Sequence, residues 1–81
     1  MVKLFVATLI MPQGHHCKFK VYKASFALWE FTNNNGLTIY IHKASANNWS
    51  GTLSTRIGNH IQHANLITQA IFEVRDFYKN R

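Results

Sequence analysis

Hydrophobic and polar residues alternate along most of the first half of this chain and take a helical period in its last third. Residues 2–11 are apolar in both phases of a two-residue repeat. Val2, Leu4, Val6 and Ile10 fall in one phase, and Phe5, Ala7, Leu9 and Met11 in the other. A strand apolar on both faces is the pattern of a central strand covered on both sides. Pro12-Gln13-Gly14 ends it, because proline cannot continue a ladder and glycine permits a reversal.

Residues 17–32 also alternate. Phe19, Val21, Ala27, Trp29 and Phe31 interleave with Lys18, Lys20 and Tyr22. Tyr22, Phe26 and Trp29 would share a helical face as well, but the aromatic and β-branched content favours a strand, with a bend near Ala24-Ser25. Asn33-Asn34-Asn35-Gly36 follows. Asn-Gly suits the two positive-φ positions of a type I′ turn and predicts a hairpin. Leu37, Ile39 and Ile41 then alternate with Thr38, Tyr40 and His42 as a half-buried strand over residues 37–43. Residues 44–52 are mostly polar and read as a loop, with Trp49 in its middle and Ser54 as an N-cap candidate beyond it.

A helix is expected over about residues 55–79. Ile57, Ile61, Ala64, Ile67, Ile71, Val74 and Tyr78 recur at spacings of three and four, which is one face of a 3.6-residue period. Lys79 and Arg81 complement the dipole at its end. No internal repeat or linker stands out. The expected fold is α+β, in one domain over residues 1–81. A three-stranded antiparallel meander (strands at about 2–11, 17–32 and 37–43) carries one long C-terminal amphipathic helix on one face.

Composition adds the charge. Nine Lys and Arg face three acids over 81 residues, for a net charge of +6 with neutral His. A small domain this basic is attracted to polyanions or acidic protein surfaces. Cys17 is the only cysteine, so an intrachain disulfide framework is excluded and a reducing, cytoplasmic setting is expected. The N-terminal apolar run is too short for a membrane span and lacks a good cleavage site. No membrane association is expected.

On an alternating sheet, Lys18, Lys20 and Tyr22 project opposite to Phe19 and Val21, and Tyr40 and His42 opposite to Ile39 and Ile41. Lys23 and Lys43 add further strand charge. Cations with flat rings are what single-stranded nucleic acid uses, so these seven residues form the expected binding face for nucleic acid or an acidic partner. Leu66 and Phe77 lie off the isoleucine stripe and Trp49 lies in a polar segment. These three are the expected protein-interface residues, and the two on the helix make a homodimer through it an expectation.

No cofactor or metal is expected. In His15-His16-Cys17 adjacent strand residues point apart, and with His42 they lack the paired spacings of zinc modules; His60 and His63 form an i, i+3 pair that could ligate a metal, but no acidic partner is nearby and they read as core-edge histidines. Glu30, Glu73 and Asp76 are the only acids, too few and scattered for carboxylate-based catalysis. The expected function is a non-catalytic basic binding protein. Its genre fits a phage or mobile-element accessory factor that binds nucleic acid, or inhibits a host protein or nucleoprotein complex.

The alternative is a small metal-independent RNase-type toxin using histidines. Gly14-His15-His16, His42 and Gly51-Thr52-Leu53 resemble, over a handful of residues, segments of small bacterial mRNA-interferase toxins of the HicA type. Those carry Gly-Ser-His on an early strand and Gly-Thr-Leu opening a helix. The resemblance implies His15 or His16 as the catalytic residue. The chain departs from that family in lacking its N-terminal helix and in its much longer final helix, and no family is assigned on these residues.

Overall fold

The computed structural model describes residues 2–55 and 64–80. Five strands run in chain order: β1 (Val2–Ile10), β2 (His16–Ser25), β3 (Leu28–Thr32), β4 (Thr38–Ser45) and β5 (Asn48–Ser54). One helix follows, α1 (Ala64–Lys79). The strands form an antiparallel meander in the spatial order β1-β2-β3-β4-β5, and α1 covers one face. The predicted helix start near residue 55, with Ile57, His60, Ile61 and His63, lies outside the described residues.

The sheet has five strands where three were expected, for two local reasons. The stretch at 17–32 is a hairpin and not one bent strand. The chain reverses at Phe26-Ala27, and β2 pairs with β3 from Lys20↔Thr32 to Ser25↔Leu28. The polar stretch at 44–52 is a second hairpin, turning at Ala46-Asn47, with β5 paired to β4 from Thr38↔Ser54 to Ser45↔Asn48. Ser54 is the last residue of β5, not an N-cap. The β5 sequence alternates Trp49, Gly51 and Leu53 with polar residues. Its middle core position is a glycine, which hides the strand pattern.

Gly51 is needed there. A Cβ at this position would lie 2.8 Å from Ile41 Cδ1, 2.8 Å from Ile67 Cγ2 and 3.1 Å from the Tyr40 carbonyl oxygen. The missing side chain lets α1 sit down on β5. The Asn33–Leu37 connection also differs from the type I′ expectation. Of its residues only Gly36 has positive φ, at 81°. The Gly36 amide donates to the Asn33 carbonyl, and Asn33 Oδ1 accepts from the amides of Asn35 and Leu37. This is a type I turn followed by one left-handed residue, the usual three-residue hairpin loop.

The core lies between the sheet and the helix. Ala7, Leu9, Phe19, Val21, Trp29, Phe31, Ile39, Ile41 and Leu53 meet Leu66, Ala70 and Val74. Each fully buried aliphatic or aromatic side chain contributes roughly 1.5–3 kcal/mol of transfer free energy. Over the described residues, the buried centre of the helix is turned about 80° from the centre of the expected stripe, at 100° per residue. Leu66, Ala70 and Val74 form its buried centre, while Ile67 and Ile71 pack at its side and Ala64 is exposed. Leu66, expected outside as an interface residue, is thus 1% exposed. Phe77 is half-buried and stacks on Phe5, with centroids 4.5 Å apart.

The rotation follows from what the helix covers. α1 packs against β1 on one sheet edge and β4 and β5 on the other, so more than a narrow stripe is contacted. On the β1 side Gln69 acts as a strand substitute. Its Oε1 accepts from the Ile10 amide at 2.8 Å and its Nε2 donates to the Ile10 carbonyl at 2.9 Å. Among the described residues, no helix is long and apolar enough to cross a membrane.

Candidate functional site

The two turns that replaced the expected bend and loop carry a repeat. Lys23-Ala24-Ser25-Phe26-Ala27-Leu28-Trp29 and Lys43-Ala44-Ser45-Ala46-Asn47-Asn48-Trp49 share the pattern Lys-Ala-Ser followed, after three residues, by Trp. The geometry repeats as well. Lys23 pairs with Trp29 and Lys43 with Trp49, and each hairpin has a register shift directly after that lysine, between Lys23 and Ser25 and between Lys43 and Ser45. Lys23 Nζ lies 5.1 Å from the Trp29 ring centre, and Lys43 Nζ lies 5.2 Å from that of Trp49. Such cation–π contacts stabilise by about 0.5–2 kcal/mol each.

The two stations meet. The indoles of Trp29 and Trp49 stack with centroids 5.6 Å apart and planes 26° apart. The C-terminal half of α1 closes the assembly. Tyr78 lies edge-on to Trp29 and accepts a hydrogen bond from its Nε1 at 3.2 Å. Arg75 lies 5.9 Å over Trp49, and Trp49 Nε1 donates to the Ala46 carbonyl. Lys23 also lies 5.7 Å from the Tyr78 ring.

This end of the molecule is concave. A cleft of about 920 Å³ opens between the two hairpin turns and the helix, near the upper end of the roughly 300–1,000 Å³ of small-ligand pockets. Among the described residues, four cations line it, Lys23, Lys43, Arg75 and Lys79, against one acid, Asp76. Trp29 is buried in its floor. Phe26 at the first turn tip is 92% exposed and Phe72 on the helix is 63% exposed. A smaller hollow lies behind, among Phe5, Glu73, Asp76, Phe77 and Asn80. Burial raises the Glu73 carboxyl above its ordinary value, and the neighbouring negative charge of Asp76 adds to the effect.

The predicted binding residues separate into two groups. Lys18, Lys20, Tyr22, Tyr40 and His42 belong to the face away from α1. There Lys18 is paired with Thr8, Lys20 with Val6 and Thr32, Tyr22 and Tyr40 flank Glu30, and His42 is paired with Leu28 and Ser50. Lys23 and Lys43 instead share the phase of the core residues and join Trp49 in the cleft. A lysine in the core phase at a strand end, followed by a core-phase tryptophan, occurs twice at the same spacing. That signal was present in the sequence, but it was masked by the assumption that basic residues occupy the outer phase.

Phe26, Trp29, Phe72, Arg75 and Tyr78 are site residues that sequence reasoning missed. His16 and His42 do not converge. His16 is paired with Ile10 at one end of the sheet and His42 with Leu28 at the other. The β2 stretch between their levels covers about 30 Å at strand rise. Gly51-Thr52-Leu53 lies inside β5 and opens no helix. Among the described residues no three His, Cys, Asp or Glu side chains are grouped to hold a metal ion. Cys17 is a half-buried free thiol. Comparison of the chain with protein-family models, with curated proteins and with solved structures found no match.

Proposed function

We propose that the protein is a non-catalytic binding module and that the twin-hairpin cleft receives a segment of a polyanionic macromolecule. The observation that carries this is the concentration of Lys23, Lys43, Arg75 and Lys79 around one concave, aromatic-floored site with a single acid, Asp76. Cations lining a concave surface with low-dielectric walls focus field and draw in negative charge. The rings beneath hold three of these cations in position through cation–π contacts, so less side-chain freedom is lost on binding. The net charge of +6 adds long-range attraction of the same sign.

The test is binding to heparin as a generic polyanion, followed by calorimetry over a range of salt. Binding should weaken as salt rises, because counterions are released on association. The Lys23→Glu, Lys43→Glu double variant should bind at least tenfold more weakly at equal salt. Lys18→Glu with Lys20→Glu, on the opposite face, should have the smaller effect. Absence of binding at low salt, or equal effects of the two double variants, would overturn the assignment to the cleft.

A further inference from the structure

The cleft has more than charge, and its extra features bear on which polyanion it takes; the following rests on the polyanion reading. Phe26 occupies the tip of the β2–β3 turn and is almost wholly exposed. The equivalent position in the β4–β5 turn is Ala46, so the hairpin does not require a ring there. Phe72 also faces outward from α1. Tyr78 is bound to Trp29 through its hydroxyl, yet its side chain remains 43% exposed. These three rings line the same opening as Lys23, Lys43 and Arg75. Phe26 and Phe72, left in water beside cations, stand outside the core cluster, and their position suits flat partners.

We propose that the cleft binds single-stranded nucleic acid, with bases stacked on Phe26, Phe72 and Tyr78 and phosphates neutralised by Lys23, Lys43 and Arg75. Stacking on an aromatic ring accepts any base. Among the described lining residues there is no Asn or Gln, the amides that read adenine edges, so recognition is tolerant of sequence. A concave site between two turns and a helix end receives a strand, whereas a major groove is entered by a projecting helix or ribbon. An acidic peptide would satisfy the cations equally well but would leave the flat rings without a matching partner.

The experiment compares four probes on the full chain by fluorescence anisotropy at low salt: labelled oligothymidylate, an abasic strand of the same phosphate number, a duplex of the same length, and poly-glutamate of equal charge. Oligothymidylate should bind about tenfold or more tightly than the abasic strand, from the typical stabilisation of a stacked base. Phe26→Ala with Phe72→Ala should remove that advantage while leaving abasic binding unchanged. Both residues are exposed, so the variant keeps its core, checked by an unchanged thermal midpoint. Equal binding of the base-bearing and abasic strands would overturn the stacking proposal and leave a polyanion site. Tighter binding of the duplex or of poly-glutamate would also overturn it. Failure of all four probes to bind would remove the polyanion reading itself.

Discussion

Trp49 stacks on Trp29 with centroids 5.6 Å apart, joining two hairpins that are twenty residues apart in sequence. The two indoles have unequal environments. Trp29 is 4% exposed and donates to the Tyr78 hydroxyl, whereas Trp49 is half-buried and donates to the Ala46 carbonyl. Removal of Trp29 therefore empties a core position and breaks a contact to the helix. Trp29→Ala should cost about 3–5 kcal/mol, as for buried aromatics. Trp49→Ala should cost less, about 2 kcal/mol, because part of its side chain already meets solvent. Urea midpoints at constant slope measure both. Equal losses would mean that the stack itself, and not burial, sets the stability of this end.

Gly51 predicts a packing limit at the other side of the helix. Alanine there would place its Cβ 2.8 Å from methyl carbons of Ile41 and Ile67 and 3.1 Å from the Tyr40 carbonyl oxygen. Ile41 is fully buried and the Tyr40 carbonyl belongs to a strand paired on both sides, so neither yields easily. Gly51→Ala should destabilise by about 1–3 kcal/mol, the range for overpacking. The Gly51→Ala, Ile67→Ala double variant should lose less than the sum of the two single losses, because Ile67→Ala withdraws one of the opposing methyls. A single variant as stable as the parent would show that α1 can lift from β5 without cost.

These positions explain what the sequence disclosed and what it withheld. The period-two runs at Phe19-Val21 and Ile39-Ile41 marked the sheet, and the three-four spacing at Ile67-Ile71-Val74 marked the helix, because side chains buried on one face must recur at the backbone's own period. β5 was hidden because its central core residue is Gly51, whose space is filled from Ile41 and Ile67. The β2–β3 reversal was hidden because its tip is Phe26-Ala27, with neither glycine nor asparagine. Helix phase was misread because Leu66 and Phe77 meet a sheet whose two edges both reach α1. Their partners, such as Phe5, lie far away in sequence. The cleft depends on the same long-range closure. Its lysine–tryptophan spacing was legible, but its joining to Arg75 and Tyr78 was not.

Gln69 protects a strand edge. Its amide pairs with both the N–H and the C=O of Ile10, at the end of edge strand β1. Exposed edges of this kind template pairing with other chains. Gln69→Ala should lose about 1–2 kcal/mol, since two modest hydrogen bonds are removed from a partly solvated site. Hydrogen exchange at the Ile10 amide should speed up more than at Ala7 or Leu9. Gln69→Glu offers a sharper comparison, since a carboxylate accepts from the Ile10 amide but cannot donate to its carbonyl. Stability of the glutamate variant should fall between parent and alanine at low pH and drop further at neutral pH. Unchanged exchange at Ile10 in Gln69→Ala would rule out the clamp.

Glu73 gives the pH dependence its sign. Burial, and then the nearby Asp76, hold its carboxyl above the ordinary value of 4.5 in the folded chain. An unfolded chain has the ordinary value, so the folded state keeps the proton to higher pH. Stability from this group is therefore greatest below the unfolded value. It falls as pH rises through the interval between the unfolded and folded values, and it is level above that. Glu73→Gln removes the charge and keeps the shape. The variant should melt at a higher temperature than the parent at neutral pH. Its midpoint should also decline less as pH rises through the carboxylate range. Asp76→Asn should give part of the same gain by removing the neighbouring charge. A Glu73→Gln midpoint equal to or below that of the parent at neutral pH would show that the ionised carboxylate is not destabilising here.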